Sequence, residues 1–151
     1  MNSLKPLVPV LALLAILAVS LLVIQGLVFI DRAGILVPKP EDTAAEFVND
    51  LDSHAIAGAK NELSSDLQKQ ISAEKLQALA DSLNKKNGGV ILANGVSSEK
   101  SGKGNNAKAN ANIEIDFQNG STQSLSFPLT RDNGIWSLSS IGPLETFLGS
   151  Q

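Results

Sequence analysis

The stretch Lys108-Ala109-Asn110-Ala111-Asn112-Ile113-Glu114-Ile115-Asp116-Phe117 decides the fold. Its apolar residues, Ala109, Ala111, Ile113, Ile115 and Phe117, fall on every second position, with Asn110, Asn112, Glu114 and Asp116 between them. That period of two is the mark of a strand buried on one face only. Asn119-Gly120 follows and reads as a two-residue hairpin turn. Beyond it Leu125, Phe127 and Leu129 line the same inner face, and Asp132-Asn133-Gly134 turns the chain again. A last strand is expected from Ile135 to Ile141, carrying the only tryptophan, Trp136. Pro128 lacks an N–H, so its amide position should point away from a ladder partner or lie at a bulge.

Upstream, Val90 to Val96 reads as the first strand, interrupted by a bulge at Asn94-Gly95. Ser97 to Asn106 is polar and glycine-rich and reads as a loop or a frayed strand end. Before Gly89 the period is helical. Pro40 suits a first turn, Glu41, Asp42 and Glu46 favour its positive end, and Thr43 with Glu46 has the spacing of a capping box. Ala44, Phe47, Val48, Leu51 and Ala55 form one apolar face, continued by Ala59, Leu63, Leu67 and Ile71 through breaks near Asp52-Ser53 and Ser64-Ser65. A further helix starts after Ser72, buries Leu76, Leu79, Ala80 and Leu83, and stops at Asn87-Gly88-Gly89. Helices followed by a four-stranded antiparallel meander describe an α+β domain spanning residues 41–148.

The N-terminal part is of another kind. From Leu7 to Ile30 no residue is charged, and 17 of the 24 are Leu, Val, Ile or Phe. At 1.5 Å per residue the segment reaches roughly 36 Å, enough to cross a hydrocarbon core of about 30 Å. Residues 7–30 are therefore expected to form one transmembrane helix, after a tail of residues 1–6 and before a juxtamembrane linker, 31–40, stiffened by Pro38 and Pro40. A cleaved signal peptide would have a shorter apolar region closed by a small-x-small site. Ala18-Val19-Ser20 has the sizes, but strongly apolar sequence follows it directly, which favours a retained anchor. Lys5 and the terminal amine nearly balance Arg32 and Lys39 across the span. A short tail before a long folded domain then favours a cytoplasmic N-terminus and an extracytoplasmic domain. Within the span Ala12, Ala15 and Ala18 make a stripe of small residues, and Gln25-Gly26 is a polar and small pair. Both are features that seat one membrane helix against another.

Three further features carry a resemblance: Asp42-Thr43-Ala44 with Phe47-Val48 in the opening helix, the alanine-rich turn from Ala55 to Leu63, and the closing hairpin from Phe127-Pro128-Leu129 through Asn133-Gly134-Ile135-Trp136 to Leu138. Together they resemble the membrane-tethered or lipoprotein-type members of the nuclear-transport-factor-two-like superfamily, whose cone fold is shared with ketosteroid isomerase. The resemblance spans about residues 40–142. It implies a curved four-stranded sheet wrapped around the first long helix; a ligand-binding cone would in addition have an open cavity between them lined by Phe47, Leu51, Ile113, Ile115 and Phe127. It implies no activity, because one fold hosts many functions.

Chemistry-bearing residues are sparse. His54 is the only histidine, near Asp52, and reads as a solvated residue at a helix end rather than a general base. There is no cysteine and no tyrosine, so zinc-thiolate sites are excluded and the isomerase's tyrosine has no counterpart. Glu114 and Asp116 fall on the polar face, outside the cone. Ser101-Gly102-Lys103-Gly104 lacks the first glycine and the Ser or Thr of a phosphate-binding loop. Residues 41–81 are net acidic and 85–108 net basic, a polarity able to steer a partner. Nucleic-acid binding is not expected without a basic domain and aromatic platforms. No cofactor, metal or catalytic residue is expected. The expected function is a membrane-anchored, non-catalytic accessory or protein-interaction module, such as a small subunit of a larger membrane complex, with a membrane protein or a second copy as partner. The alternative is a cone that holds or transforms a small ligand at the membrane surface.

Overall fold

The computed structural model describes residues 38–149. The expected transmembrane helix (7–30), its packing residues Ala12, Ala15, Ala18, Gln25 and Gly26, and most of the linker lie outside the described residues. Among the described residues no helix is long and apolar enough to cross a membrane.

The domain is α+β. Helix α1 (Pro40–Asp52) is followed by two single-turn helices, α2 (Ile56–Asn61) and α3 (Ser65–Gln70), and by α4 (Ala73–Lys85). Four strands follow, β1 (Val90–Ser101), β2 (Lys108–Phe117), β3 (Thr122–Asp132) and β4 (Ile135–Leu138), then α5 (Gly142–Gly149). The sheet is an antiparallel meander in the order β1-β2-β3-β4. The alternation read from residues 108–117 holds: Ala109, Ala111, Ile113, Ile115 and Phe117 are buried, and Glu114 is exposed on the opposite face.

Several local expectations are corrected. Pro40 opens α1 as its residue type suggested, but no capping box forms; Thr43 is buried and its hydroxyl donates to the Lys39 carbonyl at 3.3 Å. Proline at the first helical position supplies the start on its own. The helix ends at Asp52, so Ala55 is exposed rather than on the apolar face. The polar stretch after Val96 is strand as far as Ser101, its backbone paired to Lys108–Asn112. Two register slips, between Val90 and Leu92 and between Gly95 and Ser97, leave Ile91 and Val96 as the extra residues of two bulges. The turn at Asn119-Gly120 has three residues, since Phe117 N–H donates to the Ser121 carbonyl. Only Gly120 (φ 82°) is left-handed there, while Asn119 Oδ1 accepts from Ser121 N–H and Oγ. The tight two-residue turn is instead Asn133-Gly134, both with positive φ, between the paired Asp132 and Ile135. The final strand stops at Leu138, and the chain after Gly142 turns into α5. There Leu144 is fully buried, Glu145 pairs with Lys75 of α4 at 2.6 Å, and the Phe147 ring stacks 5.7 Å from Phe117.

The core forms where α1 lies on the sheet. Ala44, Phe47, Val48 and Leu51 recur at helical spacing and are fully buried against Ala111, Ile113, Ile115 and Phe127. Two details hold the helix to β1. Asn49 Nδ2 donates to the Ala93 carbonyl at 3.0 Å, and Ala93 N–H donates to Asn49 Oδ1 at 2.9 Å. One side chain thus satisfies both backbone groups of a strand residue, as a neighbouring strand would. Two residues on, a Cβ added to Gly95 would sit 2.8 Å from the Glu41 backbone, so the first helical turn can approach β1 only because Gly95 has no side chain.

Removing the Asn49 amide leaves a strand N–H and C=O without partners, at a cost of about 2 kcal/mol. We expect Asn49→Ala to lower unfolding stability by that amount in denaturant titration, with an unchanged m-value.

Candidate functional site

The interior of the cone is filled. Phe47, Leu51, Ile113, Ile115 and Phe127, the residues expected to line a pocket, are each 0% exposed, so no water-sized space touches them. Phe47 and Phe127 meet edge-on with ring centroids 6.2 Å apart. The open cavity that the ligand-binding alternative requires is therefore not present among these residues: large side chains from α1 and from both central strands point into the same space and close it.

His54 sits beyond the end of α1 in the left-handed region (φ 58°). Its Nδ1 lies 3.2 Å from the Asp52 carbonyl and its Nε2 lies 3.1 Å from the Asp81 carboxylate on α4. It is thus not merely solvated; it straps the end of α1 to α4. Hydrogen bonds from Gln77 and from His54 hold the Asp81 carboxyl below the usual carboxylate range. With both nitrogens facing oxygens, the ring is not aimed at a substrate space. Among the described residues no group of three or more His, Asp or Glu side chains is placed to hold a metal.

One carboxyl is strongly perturbed. Glu62, at the end of α2, is pushed up to about 7 by burial and by the neighbouring carboxylates of Glu46 and Asp50 on α1. Asp50 is itself raised by burial, its side chain lying close over Gly58, where a Cβ could not fit. The backbone carbonyl of Glu62 accepts from Leu138 N–H at 2.8 Å, which ties α2 to β4. The trio is a like-charge cluster at a helix junction, and none of the three lines the concavities described below.

The accessible features lie on the surface. Ile91, Leu92 and Val96 are exposed by 65%, 45% and 55%. All three sit on β1, at the sheet's edge, because its two bulges each turn a β-branched side chain outward. Sequence reading missed this surface, since a run such as Val90-Ile91-Leu92 looks like buried strand until the slips in register are known. At the far end of the sheet, Trp136 is buried beneath two cations, with Lys100 Nζ 6.0 Å and Arg131 Cζ 5.8 Å from its ring centroid.

No family model and no curated protein matches the chain. Among solved structures it is similar to a Campylobacter jejuni protein provisionally named an NTF2-like transpeptidase, with a TM-score of 0.50 and 24% identity. The match covers 67% of this chain and 97% of that one. The likeness is one of fold, and it supports the nuclear-transport-factor-two-like architecture expected from the opening helix and the closing hairpin.

The Glu62 shift gives a pH dependence whose sign is fixed. A carboxyl with a raised folded-state pKa binds its proton more tightly folded than unfolded. Its stabilising contribution is therefore complete below 4.5 and lost as pH climbs through about 7. Thermal unfolding of Glu62→Gln should match the parent near pH 4.5 and show a higher Tm than the parent above pH 7, the gap opening between those values.

Proposed function

We propose that this chain is a membrane-anchored, non-catalytic interaction module, in which residues 7–30 hold the domain beside a bilayer and β1 presents a partner-binding edge. The observation that carries the reading is the contrast between a sealed cone and an exposed apolar strand. The five interior residues meet no water-sized space, while Ile91, Leu92 and Val96 remain open to solvent. Exposed aliphatic side chains grouped on one strand are the usual character of a protein-contact surface. A small subunit of a larger membrane complex, its domain outside the cytoplasm, is the form that best joins an apolar N-terminal segment to such an edge.

The activity in the Campylobacter protein's name is not carried over. Acyl transfer needs a nucleophile beside an oriented base. Here His54 Nδ1 faces the Asp52 backbone carbonyl and Nε2 the Asp81 carboxylate, so neither ring nitrogen faces a serine or threonine hydroxyl, and the sequence has no cysteine.

The experiment is co-purification of the full chain after mild detergent extraction, alongside Ile91→Ser/Val96→Ser. Both side chains are exposed, so the double substitution should leave the melting temperature within a few degrees of the parent. The expected result is a defined membrane-protein partner recovered with the parent and at least roughly tenfold less with the variant, about 1.4 kcal/mol of lost contact. Full recovery with the variant, or a clean monomer from the parent, would remove the reading.

A further inference from the structure

The outer face of the sheet carries a trough that is lined by none of Ile91, Leu92 and Val96. Two concavities, of about 570 and 380 Å³, share Thr130 and Ser139 and so run together from the α2–α3 segment over β4 and β3 to Lys108, Ala109 and Asn110 of β2 and to Glu99 and Ser101 of β1. Both volumes fall in the range of ligand-sized sites. On the floor Thr130 and Ser137 are register partners on neighbouring strands. The far wall comes from the α2–α3 segment, which lies beside β4 through the Leu63–Leu138 bridge.

The lining has a definite chemistry. Thr130, Ser137, Asn61, Ser65 and Asn133 make no side-chain hydrogen bond to any described residue, so their donors and acceptors are unspent. Ile135, 61% exposed, supplies an aliphatic surface among them. The charged residues lining the larger concavity are Asp66, whose carboxylate pairs with Lys69 Nζ at 3.3 Å, and Asp132; in the smaller one Glu99 and Lys108 balance. A lining whose cations are each matched by a carboxylate, with Asp132 left over, does not favour phosphate, sulfate or carboxylate ligands. An extended peptide would be recognised through a free strand edge. That edge is already used at Leu138, whose N–H donates to the Glu62 carbonyl and whose carbonyl accepts from Ser64 N–H, both at 2.8 Å. Recognition is left to hydroxyls, amides, two carboxylates and an aliphatic patch. Such a set matches a ligand with many neutral hydroxyls that both donate and accept and with C–H faces to pack.

We propose that this trough binds a neutral oligosaccharide chain. Thr130 and Ser137 hydrogen-bond adjacent sugar hydroxyls from the floor, Asn61 and Ser65 do so from the wall, and Ile135 packs against a ring face. Asp132 accepts from a hydroxyl pair at the rim.

The test is an NMR titration of the isotopically labelled full chain in micelles of a detergent without sugar headgroups. The probes are two neutral hexasaccharides, one of β-1,4-linked N-acetylglucosamine and one of α-1,4-linked glucose, a sulfated oligosaccharide, and a neutral hexapeptide. At least one neutral sugar should shift the amides of Thr130, Ile135 and Ser137 with a Kd at or below about 1 mM. Thr130→Val/Ser137→Ala should weaken it by roughly tenfold or more, the expected scale for two lost hydrogen bonds. Ser65→Arg, at an exposed rim position, should obstruct the trough without touching the core, and serves if the double variant fails to fold. The proposal falls if neither neutral sugar shifts these amides up to about 10 mM, if the sulfated sugar or the peptide binds as well, or if folded variants bind like the parent. Retained binding to the membrane-protein partner in Ser65→Arg would separate this site from the β1 edge.

Discussion

Everything in this domain follows from how closely α1 is drawn onto the sheet. Asn49 grips both backbone groups of Ala93, and the bare Gly95 lets the first helical turn come into contact with β1. At that distance Ala44, Phe47, Val48 and Leu51 must share space with Ile113, Ile115 and Phe127, and all are fully buried. Each large side chain taken out of water contributes about 1.5–3 kcal/mol, which rewards closure. A helix seated a few ångströms higher would leave the same residues around a hollow. The closeness of approach thus separates a packed core from a ligand cavity on one and the same fold.

Closing the interior moves any function to the surface, and the sheet offers two different surfaces. The β1 edge is apolar where its bulges turn Ile91 and Val96 outward, beside Leu92. The opposite end is polar, with Thr130 and Ser137 side by side and neutral amides around them. A single chain can use the first for a protein and the second for a soluble or polymeric ligand without competition between them. The resemblance to the Campylobacter fold is consistent with either use, because an architecture does not fix an activity.

Much of this architecture was legible in the sequence. Residues 108–117 alternate strictly because one face is buried and the other wet, and Asp132-Asn133-Gly134 turned as its residue types require. What escaped had physical reasons. Ser97 to Ser101 carries no apolar alternation because neither of its faces enters the core; backbone pairing to β2 alone makes it strand. The helix after Gly142 is eight residues long, too short for periodicity to declare it, and is held by tertiary contacts of Leu144 and Glu145. The surface sites were invisible for a similar reason. Bulges at Ile91 and Val96, and the trough between β4 and the α2–α3 segment, arise from register and docking rather than from any local motif. The residues expected around a pocket were correctly placed on the inner face, yet their composition could not reveal that they would meet.

The cone is packed solid between α1 and the sheet. Crystals of the protein held under xenon pressure test it directly, since xenon enters dry apolar cavities that water leaves empty. No xenon is expected near Phe47, Ile113 or Phe127. A bound xenon atom among those side chains would overturn it and favour the alternative of a small-ligand cone.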